Sequence, residues 1–442
     1  MTKHNIFEST GYLIALSVIT MVFWYFGLEH IGMPVFAIAA LVILSTNKNG
    51  IMVVPIFLNM LFMISQTEWS LDIIPTYLYV LPILLIVGFA VHLIRYKPKL
   101  LQGKLLFPLT LLFIGMLLSM INADKVDMNY LFYCVIGLFY LLIYFFFKGS
   151  LTGDNLKFLI KLFVIEGVLI SFQVLVFYLR AEDVVLALKT KNLDLGWGIS
   201  NFVATYLIIF ISSTFYYIKK NKFNIIFLII VAFEIVMLFY TLSRGGILAF
   251  FFTFILLMIY LLYGYKLTKR MIINIVITLV VILVVGFFTR ENFITIWSRL
   301  SNGFFVDNGR FDLWQEALLK FKSHPVFGAG LFARATETYF GFYHNTVMHT
   351  IATLGLVGLA ALIWQAVVII KMFINKWTLE KSILFIALIG ANIHGMVDNV
   401  YYMPQFMVIF FIIIAAVENY NETLLEDRIL WNQKKECSFP LF

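Results

Sequence analysis

The chain has 442 residues, of which 62% are hydrophobic and only 13% charged, and its mean hydropathy is +0.96. A soluble domain needs a far more charged surface, so a soluble enzyme is excluded and the chain reads as a polytopic membrane protein. The net charge of +8 would point to nucleic acid in a soluble chain, but in a membrane protein basic residues mainly set orientation, and no nucleic-acid partner is expected.

A spanning helix needs about 20 apolar residues. Runs of this kind fall at 11–27, 77–94, 105–121, 130–147, 158–179, 201–218, 223–242, 246–263, 272–288, 345–370 and 382–397, with shorter ones at 33–44, 51–64 and 405–417. The expected fold class is all-α, a polytopic membrane helix bundle of 14 transmembrane helices, or 12 if 33–64 is re-entrant. The first run follows Lys3 and lacks a small-residue cleavage site, so it is expected to remain as an anchor. Cys134 lies in an apolar run and Cys437 in the tail, which supports neither a disulfide nor a metal site.

Taken alternately, the turns sort the basic residues into two sets. One set holds 21 of the 32 Lys and Arg, including both ends of the chain, and the other holds 11. The bias predicts cytoplasmic termini and an outward-facing segment 289–345, the one long polar interruption. A long segment of this kind in a compact protein is usually functional.

Basic residues that defy the bias need a separate reason. Arg244 sits in Tyr240-Thr241-Leu242-Ser243-Arg244-Gly245-Gly246, a tight hairpin between two spanning runs. It either caps the turn by snorkelling or, with the Ser243 hydroxyl and the Gly245 backbone, binds a diphosphate at headgroup depth. Further on, Phe311, Trp314, Leu318 and Phe321 recur at helical spacing, which predicts an amphipathic helix. Asp307 or Asn308 is expected to cap this helix, Arg310 lies in its first turn, and Ser323-His324-Pro325 ends it. Ile294, Trp297 and Leu300 predict a shorter helix before it. Gly328 and Gly330 either form an anion nest or let the backbone bend, and Arg334 is a third phosphate contact or a solvated charge.

His344 stands next to Asn345 where a spanning run begins, so its imidazole is either a solvent-reachable general base or part of a helix cap. His349 is five residues on and shares no helical face with it, which argues against zinc. His394 and Asp398 have i, i+4 spacing and are either a His–carboxylate pair serving the site or a structural bond closing the bundle. Glu166, Gln173 and Glu234 lie inside apolar runs, where ionisable and polar groups are costly and need partners. No Asp-x-Asp, Walker loop, Gly-x-Ser-x-Gly or His-Glu-x-x-His occurs, so no metal, nucleotide sugar or other cofactor is expected.

In combination, Ser243-Arg244-Gly245-Gly246, Gly309-Arg310 through Trp314 to His324-Pro325-Val326-Phe327-Gly328-Ala329-Gly330, and His344-Asn345 followed by Gly355-Leu356-Val357-Gly358-Leu359 resemble the O-antigen ligase and polymerase family of bacterial envelopes. The resemblance covers roughly residues 201–404, and Gly198-Ile199-Ser200-Asn201 is similar to its start. It implies three parts: membrane helices over 1–199, a ligase/polymerase-like core over 200–404, and a last helix with a cytoplasmic tail over 405–442. It also implies a glycosyltransferase of the bacterial cytoplasmic membrane, working on the outer side without metal. The donor would be a glycan on undecaprenyl diphosphate and the acceptor a glycan or lipid-linked hydroxyl, with membrane lipids around both. Arg244 and Arg310 would hold the diphosphate and His344 would deprotonate the acceptor, while Ser243, Gly245, Gly328, Gly330, Arg334, Asn345, His394 and Asp398 line the substrates. Within the family a polymerase adds repeat units, and a ligase transfers the finished chain to a terminal acceptor. Richness in Lys, Ile, Asn and Phe suggests an AT-rich genome, which fits capsule or exopolysaccharide polymerisation about as well as ligation, and polymerisation is the expected activity. The competing class is a lipid-linked oligosaccharide flippase, which should show internal repeats and a midplane cavity.

Overall fold

A computed structural model of the chain describes residues 6–65, 77–264, 266–303, 309–336 and 339–437. Among these the chain begins with α1 (Thr10–Tyr25), α2 (Glu29–Thr46), α3 (Val54–Met63), α4 (Tyr77–Tyr96), α5 (Leu106–Leu118), α6 (Met128–Ser150) and α7 (Leu156–Leu179). A short α8 (Val184–Thr190) leads into α9 (Ser200–Lys220), α10 (Ile225–Tyr240), α11 (Arg244–Leu262) and α12 (Lys269–Phe288). The polar segment then forms α13 (Arg290–Gly303) and α14 (Arg310–Ser323), and the chain finishes with α15 (Thr346–Ile374), α16 (Leu379–Gly395) and α17 (Pro404–Cys437). All fourteen apolar runs are helical, and the run at 33–44 is the middle of a longer helix. Eight of the described helices are long and apolar enough to cross a membrane, and five shorter apolar helices accompany them. The chain is a membrane protein built from helices, with one two-residue antiparallel pair, Ala335–Thr336 and Tyr339–Phe340, among the described residues.

Polar side chains set the helix starts. Ser9, Asp127, Asp183, Asn224, Ser243, Thr268, Asn345 and Thr378 each accept a first-turn amide of the helix they precede, satisfying donors that the helix itself leaves open. The expected cap of α14, Asp307 or Asn308, lies outside the described residues, and Gly309 at φ 73° precedes this helix.

Hydrogen bonds between helix ends define two faces of the bundle. On the near face, Tyr178 donates to the Tyr240 carbonyl (2.8 Å), Asn345 to the Met396 carbonyl (2.7 Å) and Asn122 to the Gly328 carbonyl (2.9 Å). On the far face, Arg95 donates to the Ser45 carbonyl (2.8 Å), Lys148 to Asn419 (2.9 Å) and Lys381 to Asn421 (2.9 Å). The segment 289–345 lies between the near-face ends of α12 and α15. At the centre stands α9, packed against α7, α10, α11 and α16. By contrast α12 buries only Met271 and Thr278 and packs on α10 and α13, which leaves most of its apolar surface for lipid.

The buried polar groups of the bundle are bonded locally. Glu166 accepts from Asn59 (2.6 Å), Asn59 accepts from Thr20 (2.7 Å), and Glu234 accepts from Thr214 (2.8 Å). Gln173 bridges the Phe62 carbonyl and the Trp197 indole. All of these contacts join neighbouring helices except that to Trp197, which ties α7 to the connection between α8 and α9, so these residues hold the bundle together in the manner open to polar groups away from water.

Candidate functional site

The hairpin between α10 and α11 is as tight as its sequence predicts. Leu242 takes φ 55°, Ser243 caps α11 by accepting the Gly246 amide at 3.2 Å, and Arg244 becomes the first helical residue, half-buried. A Cβ on Gly245 would stand 2.8 Å from Val397 and 3.3 Å from His394. Gly245 thus allows α11 to meet the end of α16. The Ser243 hydroxyl, expected to face a ligand, is buried in the cap.

Arg310 opens α14 as Arg244 opens α11. Arg244 stands within electrostatic reach of Arg310 and of Arg299 on α13. The segment 289–345 therefore folds back over the hairpin. A further cation comes from Lys191, the left-handed residue (φ 58°) that ends α8, because α8 packs on α13. Burial draws the Lys191 pKa down to about 8; Asp398 works against the shift, while Arg299, Arg244 and Arg310 add to it. Gathering like charges in this way costs free energy that an anionic ligand would offset.

Beside the cations lies Asp398, in the connection between α16 and α17. Its Oδ1 accepts from His344 Nδ1 (3.2 Å) and from the Asn399 amide (2.8 Å), and its Oδ2 accepts from Asn201 Nδ2 (2.5 Å). Burial opposes ionisation of this carboxyl. The His344 hydrogen bond, the neighbouring imidazoles of His394 and His344, which carry charge at the acid pH where this carboxyl titrates, and the Asn399 amide outweigh burial and hold the pKa at about 2. An ionised carboxylate only accepts, so Nδ1 of His344 must carry the hydrogen and Nε2 is left as the basic nitrogen of the neutral ring. His344 takes φ 44°, a conformation costing a non-glycine residue roughly 1–2 kcal/mol. Asn345 caps α15, its Oδ1 accepting the amides of Val347 and Met348 at 2.9 and 3.0 Å.

Several expected roles change. His394 does not pair with Asp398; α16 ends at Gly395, so i, i+4 spacing no longer places the two on one helical face, and His394 Nδ1 instead meets Thr205 Oγ1 at 2.8 Å. Arg334 donates to Glu316 (3.2 Å) and the Phe342 carbonyl (3.3 Å), bracing α14 against the following loop. Asn345 spends its amide on the Met396 carbonyl. In α14, Phe311 and Leu318 of the apolar stripe are exposed, while Ala317 and Leu313 pack on Tyr343, Ala352 and Met348. His349 is buried among the rings of Phe342, Tyr343 and Tyr402.

Gly328 and Gly330 bend the backbone instead of forming an anion nest. Helix α15 is broken at Gly355 (φ 61°, ψ −151°), which frees carbonyls before the break and amides after it. The Pro325–Gly330 turn takes up both. Amides of Ala329 and Gly330 donate to the carbonyls of Ala352 (2.8 Å) and Thr353 (3.2 Å), and amides of Leu356 and Val357 donate to the carbonyls of Pro325 (2.8 Å) and Val326 (3.2 Å). The Gly328 amide is held by the His324 carbonyl at 3.0 Å, so the turn's amides serve the helix. A Cβ on Gly328 would lie 2.3 Å from the Thr353 backbone and one on Gly355 2.5 Å from the Val326 carbonyl, which is why both positions need glycine.

Fold and site together define a multi-spanning membrane protein whose near face gathers Lys191, Arg244, Arg299 and Arg310 beside a carboxylate-held histidine. Residues 225–363, from α10 into α15, match the sequence model of a family described as O-antigen ligase. None of the curated proteins matches the chain. The matched segment is narrower than the resemblance drawn from motifs. It includes Arg244, Arg299, Arg310, His344 and the two glycine turns, and it leaves out Lys191, Asn201, His394 and Asp398.

Sequence reasoning passes over Lys191, Arg299 and Asn201. Lys191 and Arg299 both belong to the minority set of basic residues that defy the orientation bias, the same signal that singles out Arg244. Asn201 stands at the end of Gly198-Ile199-Ser200-Asn201, which in sequence reads only as a boundary.

Proposed function

We propose that the protein is a glycosyltransferase that moves a glycan from undecaprenyl diphosphate to an acceptor hydroxyl on the outer side of the bacterial cytoplasmic membrane, polymerising repeat units of an O-antigen, capsule or exopolysaccharide. What carries the reading is the meeting of four cations with the Asp398–His344 pair at one end of an apolar bundle. Arg244 and Arg310, each at a helix start whose dipole also favours an anion, hold the diphosphate, and Arg299 and Lys191 complete its surroundings. Nε2 of His344 takes the proton of the acceptor hydroxyl as that oxygen bonds to the anomeric carbon. The bond from this carbon to the diphosphate oxygen breaks with its electron pair, and the arginines stabilise the departing charge. One such displacement inverts the anomeric centre. The same cations meet the charge that a metal meets elsewhere, so the reaction runs without one. In this reading residues 200–404 form the core, flanked by the helices of 1–199 and by 405–442.

The family description favours a second reading, transfer of a finished chain to lipid A core or another terminal acceptor. Reconstitution in liposomes with lipid-linked repeat units alone separates the two. Elongation to high-molecular-weight glycan, unaffected by chelator, is the expected result, and reaction only after a second acceptor is added means ligation. Arg244→Ala and His344→Ala should insert normally and form no product. Product at the wild-type level in both variants overturns the assignment.

A further inference from the structure

Lys191 reaches the catalytic histidine through an unbroken line of side chains. Lys191 Nζ donates to Asn201 Oδ1 at 3.1 Å, Asn201 Nδ2 donates to Asp398 Oδ2 at 2.5 Å, and His344 Nδ1 donates to Asp398 Oδ1 at 3.2 Å. An amide presents one acceptor and one donor side, and a lysine ammonium can only donate. While Lys191 is charged, the Asn201 oxygen turns toward it and the amide nitrogen toward the carboxylate. The opposite rotamer would set the amide oxygen against Asp398 and the amide nitrogen against Lys191, two like-for-like contacts.

We propose that Lys191 is a binding and positioning residue that couples the donor's diphosphate to the general base, its charge attracting the anion and, through Asn201, fixing the Asp398 carboxylate that orients His344. This rests on the lipid-diphosphate reading above. It concerns a lysine and an asparagine outside the segment that matches the family. The groups facing Lys191 are Asp398, Arg299, Arg244 and Arg310, drawn from the α16–α17 connection, α13, α11 and α14. Burial sets its pKa near 8, with three arginines lowering it and one carboxylate raising it. A bound diphosphate adds negative charge at the same place and raises that pKa, so donor binding above about pH 8 takes up a proton.

The test is binding of farnesyl diphosphate, a short isoprenyl diphosphate, to the purified full chain in detergent, followed from about pH 7 to about pH 9, together with turnover of lipid-linked repeat units. Wild-type affinity should fall by about tenfold across this window, the ratio of charged fractions for a group titrating near 8. Lys191→Arg keeps its charge throughout, so its affinity should change by less than about twofold and the alkaline limb of turnover should move up beyond the window. Lys191→Met should bind about tenfold more weakly at about pH 7, with no pH dependence in the window. Asn201→Ala should lower kcat by about tenfold while leaving farnesyl diphosphate affinity within about twofold. A Lys191→Arg protein that keeps the wild-type pH dependence, or an Asn201→Ala protein with wild-type kcat, overturns the coupling while the diphosphate site stands. Failure of the wild type to bind the probe, or binding unaffected by Arg244→Ala, overturns the diphosphate reading itself and the coupling with it.

Discussion

Replacing Asp398 by asparagine keeps the shape of the site and removes one charge, and the hydrogen-bond pattern dictates the consequences. The carboxylate accepts from three donors: His344 Nδ1, the Asn399 amide and Asn201 Nδ2. An asparagine side chain has one accepting and one donating end, so either the Asn201 contact or both the His344 and Asn399 contacts become donor against donor. With the new NH2 toward His344, the ring must move its hydrogen to Nε2, and the base is lost. With the new NH2 toward Asn201, that amide has to flip, which turns its nitrogen toward Lys191 Nζ. Either way the base is present in the wrong form or badly held. General-base catalysis contributes about 10²–10⁴-fold, so kcat should fall by that factor, roughly 3–5 kcal/mol of transition-state stabilisation. Assayed at about pH 6, where Lys191 stays charged without the carboxylate that raises its pKa, the donor KM should not rise, because Lys191, Arg244, Arg299 and Arg310 remain in place and less compensated. The assay is initial-rate elongation of lipid-linked repeats in liposomes, with protein insertion checked in parallel. A kcat within about tenfold of wild type, or a fall confined to KM, would refute this account of the pair.

Two further substitutions test the reassigned residues. Arg334→Ala removes a half-exposed ion pair with Glu316, worth under about 1 kcal/mol; the donor KM should stay within about twofold of wild type and thermal stability should drop slightly, whereas a large rise in donor KM would return Arg334 to the diphosphate site. Gly328→Ala adds a Cβ 2.3 Å from the Thr353 backbone at φ 72° and disturbs four hydrogen bonds between the turn and the broken α15, each worth about 1 kcal/mol, so a loss of roughly 3–5 kcal/mol is expected in detergent melts. Gly309→Ala is the control, since its φ is 73° and no atom stands within 4 Å of the added Cβ; it should cost only the roughly 1 kcal/mol backbone contribution, and equal losses in the two variants would refute the role given to the turn.

The helices were legible because membrane depth imposes one rule on every span: a run of apolar residues long enough to satisfy its own backbone. Arg244 and His344 were legible for the converse reason, as polar residues at the ends of such runs. What the sequence hid was pairing across the near face. His394 and Asp398 looked like partners on one helix, but the helix stops at Gly395 and the carboxylate turns to His344, 54 positions away. For Gly328 and Gly330 the sequence left a nest and a bend both open, because the break at Gly355, whose carbonyls the amides of Ala329 and Gly330 take up, leaves no mark in hydropathy. The apolar stripe of α14 does not mark Ala317, and the helix packs closely on α15 where that side chain is small.

These pairings show why the boundaries of the matched segment differ from those of the site. The segment 225–363 supplies Arg244, Arg299, Arg310 and the imidazole of His344. The carboxylate that sets the tautomer of that imidazole comes from the connection after α16, the asparagine bonded to the carboxylate from the first turn of α9, and the lysine bonded to that asparagine from the end of α8. Central α9 makes this geometry rigid, since it carries Asn201 and Thr205 at its near end and packs on α7, α10, α11 and α16 along its length. A change in α9 packing should therefore reach His344 through Asn201 and Asp398 without touching any residue of the matched segment. The matched segment alone would hold the cations and a histidine whose tautomer nothing fixes, and the full bundle is what supplies the carboxylate that fixes it.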